Sequence, residues 1–179
     1  FIDRAVLTST TVELRGCAFA KNYCATSKCD YSERVVAILY VRSLIVTDSS
    51  FTDNTAGALS TEYTVTLRVE RSSFYRNTNP YMPTSGSGTQ QSNAGGAIFI
   101  NHAKEVGLAD CSFIDNVAQG SGGGVYMQHA AYVTIERSKF ARNKAITGAM
   151  SMLARGCFVH SLEGGFGIRR MVTITHAMA

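Results

Sequence analysis

Apolar and polar residues alternate along most of this chain in short runs, and the runs recur. Five segments align without gaps: VELRGCAFAKN, LIVTDSSFTDN, LRVERSSFYRN, VGLADCSFIDN and VTIERSKFARN. Each is centred on a Phe (Phe19, Phe51, Phe74, Phe113, Phe140) and carries an Asn three residues later (Asn22, Asn54, Asn77, Asn116, Asn143). Seven residues before the Phe stand Val12, Leu44, Leu67, Val106 and Val133. Five before it stand Leu14, Val46, Val69, Leu108 and Ile135. Two before it the side chain is always small: Cys17, Ser49, Ser72, Cys111, Ser138. A period of two, rich in β-branched residues, is a strand with one face turned inward. No window sustains the 3.6-residue period of a helix.

The Phe residues are spaced by 32, 23, 39 and 27 residues, so the basic unit is near 23 and longer intervals carry insertions. The 39-residue interval contains NPYMPTSGSGTQQSNAGG, whose Ser, Gly, Thr, Gln and Pro content predicts a loop over residues 79–93. The 32-residue interval holds Cys24 and Cys29. Between successive Phe residues lies a second signature: GALS at Gly57, GGAIFI at Gly95, GGGVYM at Gly122 and TGAMSM at Thr147. Glycine permits a tight corner there, and the apolar residues that follow start another strand. One unit therefore reads as strand, polar corner with Asn, glycine corner, strand. Such a unit cannot close a core alone, whereas stacked copies share a continuous one. The expected architecture is all-β: a single-stranded right-handed parallel β-helix of about five to seven coils, one domain over residues 1–179. In register, the Phe column stacks inside, and the Asn column forms a corner ladder in left-handed geometry.

Register exposes two further columns. Three residues before the Phe stand Gly16, Asp48, Arg71, Asp110 and Arg137, and two after it Lys21, Asp53, Arg76, Asp115 and Arg142. Both alternate in sign from unit to unit, which predicts two ladders of stacked opposite charges.

Composition narrows the functional classes. Seventeen basic and 13 acidic residues leave a net charge of +4 without a cationic tract, which argues against nucleic acid as a partner. The longest unbroken apolar run, Val35 to Val41, is far shorter than the ~20 residues of a membrane helix. Five cysteines leave an odd thiol if the rest pair; Cys24 and Cys29 form a candidate local bridge, while Cys17 and Cys111 read as packed thiols. The first residue is Phe1 rather than Met, so the chain reads as processed or as a piece of something longer.

Candidate chemistry is sparse. His102 and His129 both precede a unit Phe by eleven residues and should lie one above the other. The other members of that column, Thr8, Tyr40 and Tyr63, are poor metal ligands, so the column reads as a polar stack and no metal or cofactor is expected. Asp48 and Asp110 fall two coils apart, ~9–10 Å, near the separation used by inverting glycosidases. Arg71 stands between them, where substrate or water belongs, and would keep both ionised. GSGGG at Gly120–Gly124 lacks the lysine and the helix of a phosphate loop.

The FxxN repeats at Phe19–Asn22, Phe51–Asn54, Phe74–Asn77, Phe113–Asn116 and Phe140–Asn143 occur together with GGAI at Gly95–Ile98 and weaker forms at Gly122–Val125 and Gly148–Met150. This combination resembles the polymorphic outer-membrane protein family of chlamydiae and related repeat proteins of some algae and protists, over about residues 12 to 153. The resemblance implies a right-handed parallel β-helix passenger used at a cell surface, often for adhesion, and hence an extracellular or cell-surface location. The tail from Arg155 reads as a degenerate capping coil or the start of a further one. The expected function is that of a non-catalytic structural or adhesive module. Its loops, chiefly Asn79–Asn93 and Tyr23–Arg34, meet a protein partner, a larger assembly or a surface glycan. The alternative is a polysaccharide lyase or glycoside hydrolase that holds an anionic glycan with Arg71, Arg76, Arg137 and Arg142.

Overall fold

The computed structural model describes residues 10–23, 34–80 and 94–145, together with the backbone of 150–159 and 172–174. The chain forms β1 (Thr11–Arg15), β2 (Ala18–Ala20), β3 (Val36–Leu39), β4 (Ser43–Thr47) and β5 (Ser50–Thr52). It continues through β6 (Leu59–Glu70), β7 (Ser73–Tyr75), β8 (Thr78–Asn79), β9 (Ile98–Ala109) and β10 (Ser112–Ile114). The last strands are β11 (Val117–Ala118), β12 (Val125–Glu136), β13 (Lys139–Ala141), β14 (Met150–Val159) and β15 (Val172–Ile174). Among the described residues there is no helix.

Among the described residues every strand pairing is parallel. The largest sheet runs in the order β1-β4-β6-β9-β12-β14-β15, with β3 also paired to β6. A second sheet collects the Phe-bearing strands in the order β13-β10-β7-β5-β2, and β8 pairs with β11 in a third. Each repeat unit thus visits the two larger sheets in the same order. The register aligns equivalent positions: Val12↔Leu44↔Leu67↔Val106↔Val133 and Leu14↔Val46↔Val69↔Leu108↔Ile135. Phe19, Phe51, Phe74, Phe113 and Phe140 likewise pair in sequence.

One apolar cluster joins the inward faces of the two larger sheets. The Phe rings stack nearly parallel, with centroids 4.6 to 4.9 Å apart along the column. Phe51, Phe74 and Phe113 are fully buried, while Phe19 and Phe140 at the column's ends are partly buried. Burial of each such ring contributes about 1.5–3 kcal/mol over leaving it in water.

The corners differ from expectation. The Asn residues do not take the left-handed conformation; the charged residue just before each of them does, at Lys21, Asp53, Arg76, Asp115 and Arg142. The other charge column, Asp48, Arg71, Asp110 and Arg137, is also left-handed, with Gly16 in the equivalent place. A further left-handed column is Tyr40, Tyr63, His102 and His129, which bends the twelve-residue strands β6, β9 and β12 near their middles. With Gly57, Gly95 and Gly122, each full unit has four such corners, where the sequence pattern indicated two. The reason is geometric. A single left-handed residue turns a short strand sharply, and the side chain there points to solvent, so mostly polar residues occupy the site and the adjacent Asn faces inward.

At the glycine corners the backbones nearly touch. A Cβ on Gly96 would lie 2.1 Å from the Gly123 carbonyl oxygen, and one on Gly123 would lie 2.3 Å from that of Lys144. No side chain fits between successive units there.

Candidate interaction surface

The buried Asn column is a continuous amide ladder. The Oδ1 of Asn54 accepts from the backbone N–H of Asn22 (3.1 Å) and from its Nδ2 (2.9 Å), while Asn54 Nδ2 donates to the Phe19 carbonyl (3.1 Å) and to Asn77 Oδ1 (2.7 Å). The same four contacts recur at Asn77 and Asn116, and the ladder reaches Asn143. A second ladder, which the sequence showed only as a small-residue column, runs beside it. Cys17 N–H donates to Ser49 Oγ, Ser49 N–H to Ser72 Oγ and Cys111 N–H to Ser138 Oγ, each at 3.1 Å. Burial pushes the Cys111 thiol up to about 11, and neither Cys17 nor Cys111 is in a disulfide. Cys24 and Cys29 lie outside the described residues.

The charged columns lie outside, as discrete pairs. Arg71 donates from Nε and Nη2 to both oxygens of Asp48 (2.8 and 2.9 Å), and Arg76 does so to Asp53 (2.6 and 2.7 Å). Arg137 closes on Asp110 (2.7 Å twice) and Arg142 on Asp115 (2.6 Å twice). Among the described residues no ion pair joins Arg71 to Asp110, so each column breaks into two-residue clamps rather than an unbroken ladder. Lys21 acts on Asp53 only through its charge. The hydrogen bond from its Arg is the largest cause holding each of the four Asp carboxyls below the usual range. A carboxylate clamped in this way is a poor proton donor, and Asp48 and Asp110 are each committed to a different Arg.

The Tyr–His corner is an exposed stack of flat rings: Tyr40 on Tyr63 at 5.0 Å, Tyr63 on His102 at 4.7 Å, His102 on His129 at 4.4 Å. Partial burial, then the charge of His129, lowers the His102 pKa. No group of three or more metal-ligating side chains occurs among the described residues.

The residues that follow the two predicted insertions meet at one place. Arg34, buried, follows the first; its Nη1 donates to the Gly95 carbonyl at 2.6 Å, its Nη2 bonds the Ala94 carbonyl, and its guanidinium lies 5.3 Å from the centre of the Phe99 ring. Loss of solvent lowers the Arg34 pKa to about 9. Ala94 and Gly95 follow the second insertion, whose start is tied back by Asn79 Nδ2 to the Ala94 carbonyl (3.0 Å). The bodies of both insertions, residues 24–33 and 81–93, lie outside the described residues.

A groove on the outer face of the largest sheet is lined by none of Arg71, Arg76, Arg137 and Arg142, the residues the sequence offered for a glycan. It holds about 580 Å³ and runs over β9, where Gly107 and Ala109 face outward between taller neighbours on β6 and β12. The signal was present as a Gly and an Ala in outward positions of a strand whose aligned partners are Arg68, Thr134, Glu70 and Glu136. It becomes visible only once the strands are placed side by side.

Residues 110–128 hold both halves of the unit: the clamped Asp110 and Asp115, buried Phe113 and Asn116, and the glycine corner leading into β12. This window matches the Chlamydia polymorphic membrane protein (Chlamydia_PMP) repeat. Over residues 110–128 the chain is similar to a polymorphic membrane protein repeat. No curated protein and no solved structure matches it. Among the described residues, no helix is long and apolar enough to cross a membrane.

Proposed function

We propose that residues 1–179 form one right-handed parallel β-helix domain of five to seven coils that serves, without catalysis, as a surface module in contact with a protein, a larger assembly or a glycan. The in-register parallel pairing of equivalent positions supports the winding, and right-handedness is the general rule for crossovers between parallel strands. The polymorphic membrane protein repeat supports an outer-membrane or cell-surface location. The observation that carries the contact reading is the Arg34 anchor: the residue that follows the first insertion is bonded to the residues that follow the second, and Asn79 ties the start of the second to the same corner. Loops held by a rigid scaffold are where recognition concentrates.

The lyase or hydrolase reading has less support. Its candidate carboxylates are each clamped by an arginine at hydrogen-bond distance, which keeps them ionised and makes them poor general acids.

The test is a loop-shortened variant. Because Asn79 is bonded to Ala94, a linker of about four residues closes residues 81–93 without strain. The shortened chain should keep its far-UV circular dichroism and lose adhesion of protein-coated beads to cells. Undiminished adhesion would refute the loop reading. Turnover of uronic polysaccharides abolished by Asp48→Asn or Asp110→Asn would refute the non-catalytic one.

A further inference from the structure

We propose that the groove over β9 binds a neutral oligosaccharide of hexopyranose units, lying along the strand from Glu105 toward Ala109. The trough follows from register. Thr66, Glu105 and Tyr132 are aligned across three strands, then Arg68, Gly107 and Thr134, then Glu70, Ala109 and Glu136. With strands ~4.8 Å apart, side chains on β6 and β12 stand ~10 Å from one another across the small residues of β9. That width matches a pyranose ring with its hydroxyls. The floor is open: a Cβ on Gly107 would meet nothing within 4 Å. The length from Glu105 to Ala109, ~13 Å at the rise of a strand, takes two to three sugar units.

The lining decides the class of ligand. Tyr132 is 56% exposed, which leaves an aromatic surface beside the trough for the C–H face of a sugar. Glu70, Glu105 and Glu136 offer acceptor oxygens to hydroxyl groups, and Arg68 offers donors. Each of these carboxylates has a cation beside it, and Arg71 and Arg137 are shared with Asp48 and Asp110. Glu70 is bonded to Arg68 and, at 3.2 Å, to Arg71; Glu136 to Arg137 at 3.3 Å; Glu105 lies 3.8 Å from Lys104. Three carboxylates against one Arg in the lining repel a polyanion, and the cations beside them blunt the pull on a polycation, while the carboxylates are held in place with lone pairs left for hydroxyls. A neutral polyol is the ligand that uses both features. This site rests on the surface-module reading for its exposure to glycans, and it is separate from the Arg34 corner.

The experiment uses the whole chain and a panel of neutral gluco-, manno- and galacto-oligosaccharides, with uronic oligosaccharides and a peptide library as comparison arms, by calorimetry and array. Binding of a neutral oligosaccharide should be insensitive to salt up to about 0.5 M, where ionic contacts are screened. Gly107→Gln, which fills the trough from an open position, and Tyr132→Ala should each weaken it by at least about fivefold with unchanged thermal midpoint. The loop-shortened variant should bind equally well, so failure of the loop reading and failure of this one are distinguishable. New reducing ends that disappear in Gly107→Gln would support the groove and refute the non-catalytic reading. The proposal is overturned if no neutral oligosaccharide binds, if binding survives both groove substitutions, or if Gly107→Gln abolishes binding only of uronic sugars or of peptides.

Discussion

Replacement of Asn77 by Ala separates interior amide bonding from exterior charge pairing as the source of stability. Asn77 is fully buried; its Oδ1 takes two N–H groups from Asn54, and its Nδ2 donates to the Phe51 carbonyl and to Asn116. Truncation leaves the Asn54 backbone N–H and the Phe51 carbonyl without these partners in a site that water does not reach. At about 1–3 kcal/mol for each buried polar group left unpaired, the loss is about 2–6 kcal/mol. Its neighbour Arg76 is exposed, and its clamp on Asp53 belongs to a class that contributes little and is screened by salt. The chain lacks Trp, so urea unfolding is followed by far-UV circular dichroism. With a slope near 2 kcal/mol per molar urea, Asn77→Ala should lower the midpoint by about 1–3 M. Arg76→Ala should lower it far less. Asn77→Asp should not rescue, because it retains the acceptor for Asn54 and forfeits both donors. Equal effects of Asn77→Ala and Arg76→Ala would refute the argument, and so would an Asn77→Ala midpoint at the wild-type value.

Gly123→Ala should destabilise by about 1–3 kcal/mol or more, because its Cβ meets the Lys144 backbone, whereas Gly107→Ala should be neutral or stabilising by about 0.5–1 kcal/mol. Thermal melts of the two variants check the contrast, and a Gly123→Ala melt at the wild-type midpoint would contradict the close approach. The lowered pKa of His102 means that the unfolded chain binds this proton more readily than the folded one. Its contribution is therefore complete above its ordinary value of 6.5 and is lost as pH falls through the lower folded value. His102→Tyr, which continues the ring stack, should flatten the urea midpoint over that window. The Asp clamps act lower, below the ordinary Asp value of 3.8, and an unchanged slope just below pH 6.5 in His102→Tyr would count against the His102 assignment. Cys111, buried and poorly ionised, should resist maleimide in the native chain at about pH 8 and react after urea unfolding, as read by peptide mass mapping. Rapid native labelling would show that the small-residue column is open.

The repeat fixes which residues share a column, and this much is determined by the amino-acid order alone. Strands of period two, Phe in one frame and insertions in two intervals are local patterns, and equal spacing from Phe to its neighbours places Asp48 with Arg71 and His102 with His129 before any coordinates. What a column does depends on its orientation, and the sequence is silent there. Asn and charged residues both suit a left-handed corner by propensity. The packed structure assigns that conformation to Asp53 and Arg76 because their side chains must reach water, and sends Asn54 and Asn77 inward, where their amides are fully bonded. Alternation of charge was legible; its division into clamps was not, because that depends on which way each Arg extends. The groove and the Arg34 anchor are further removed from local pattern. One requires three strands side by side to reveal that Gly107 is a gap, and the other joins residues 60 and 61 positions apart. Periodicity carries the spacing of neighbours along the chain, but depth, direction and the meeting of distant segments come only with packing.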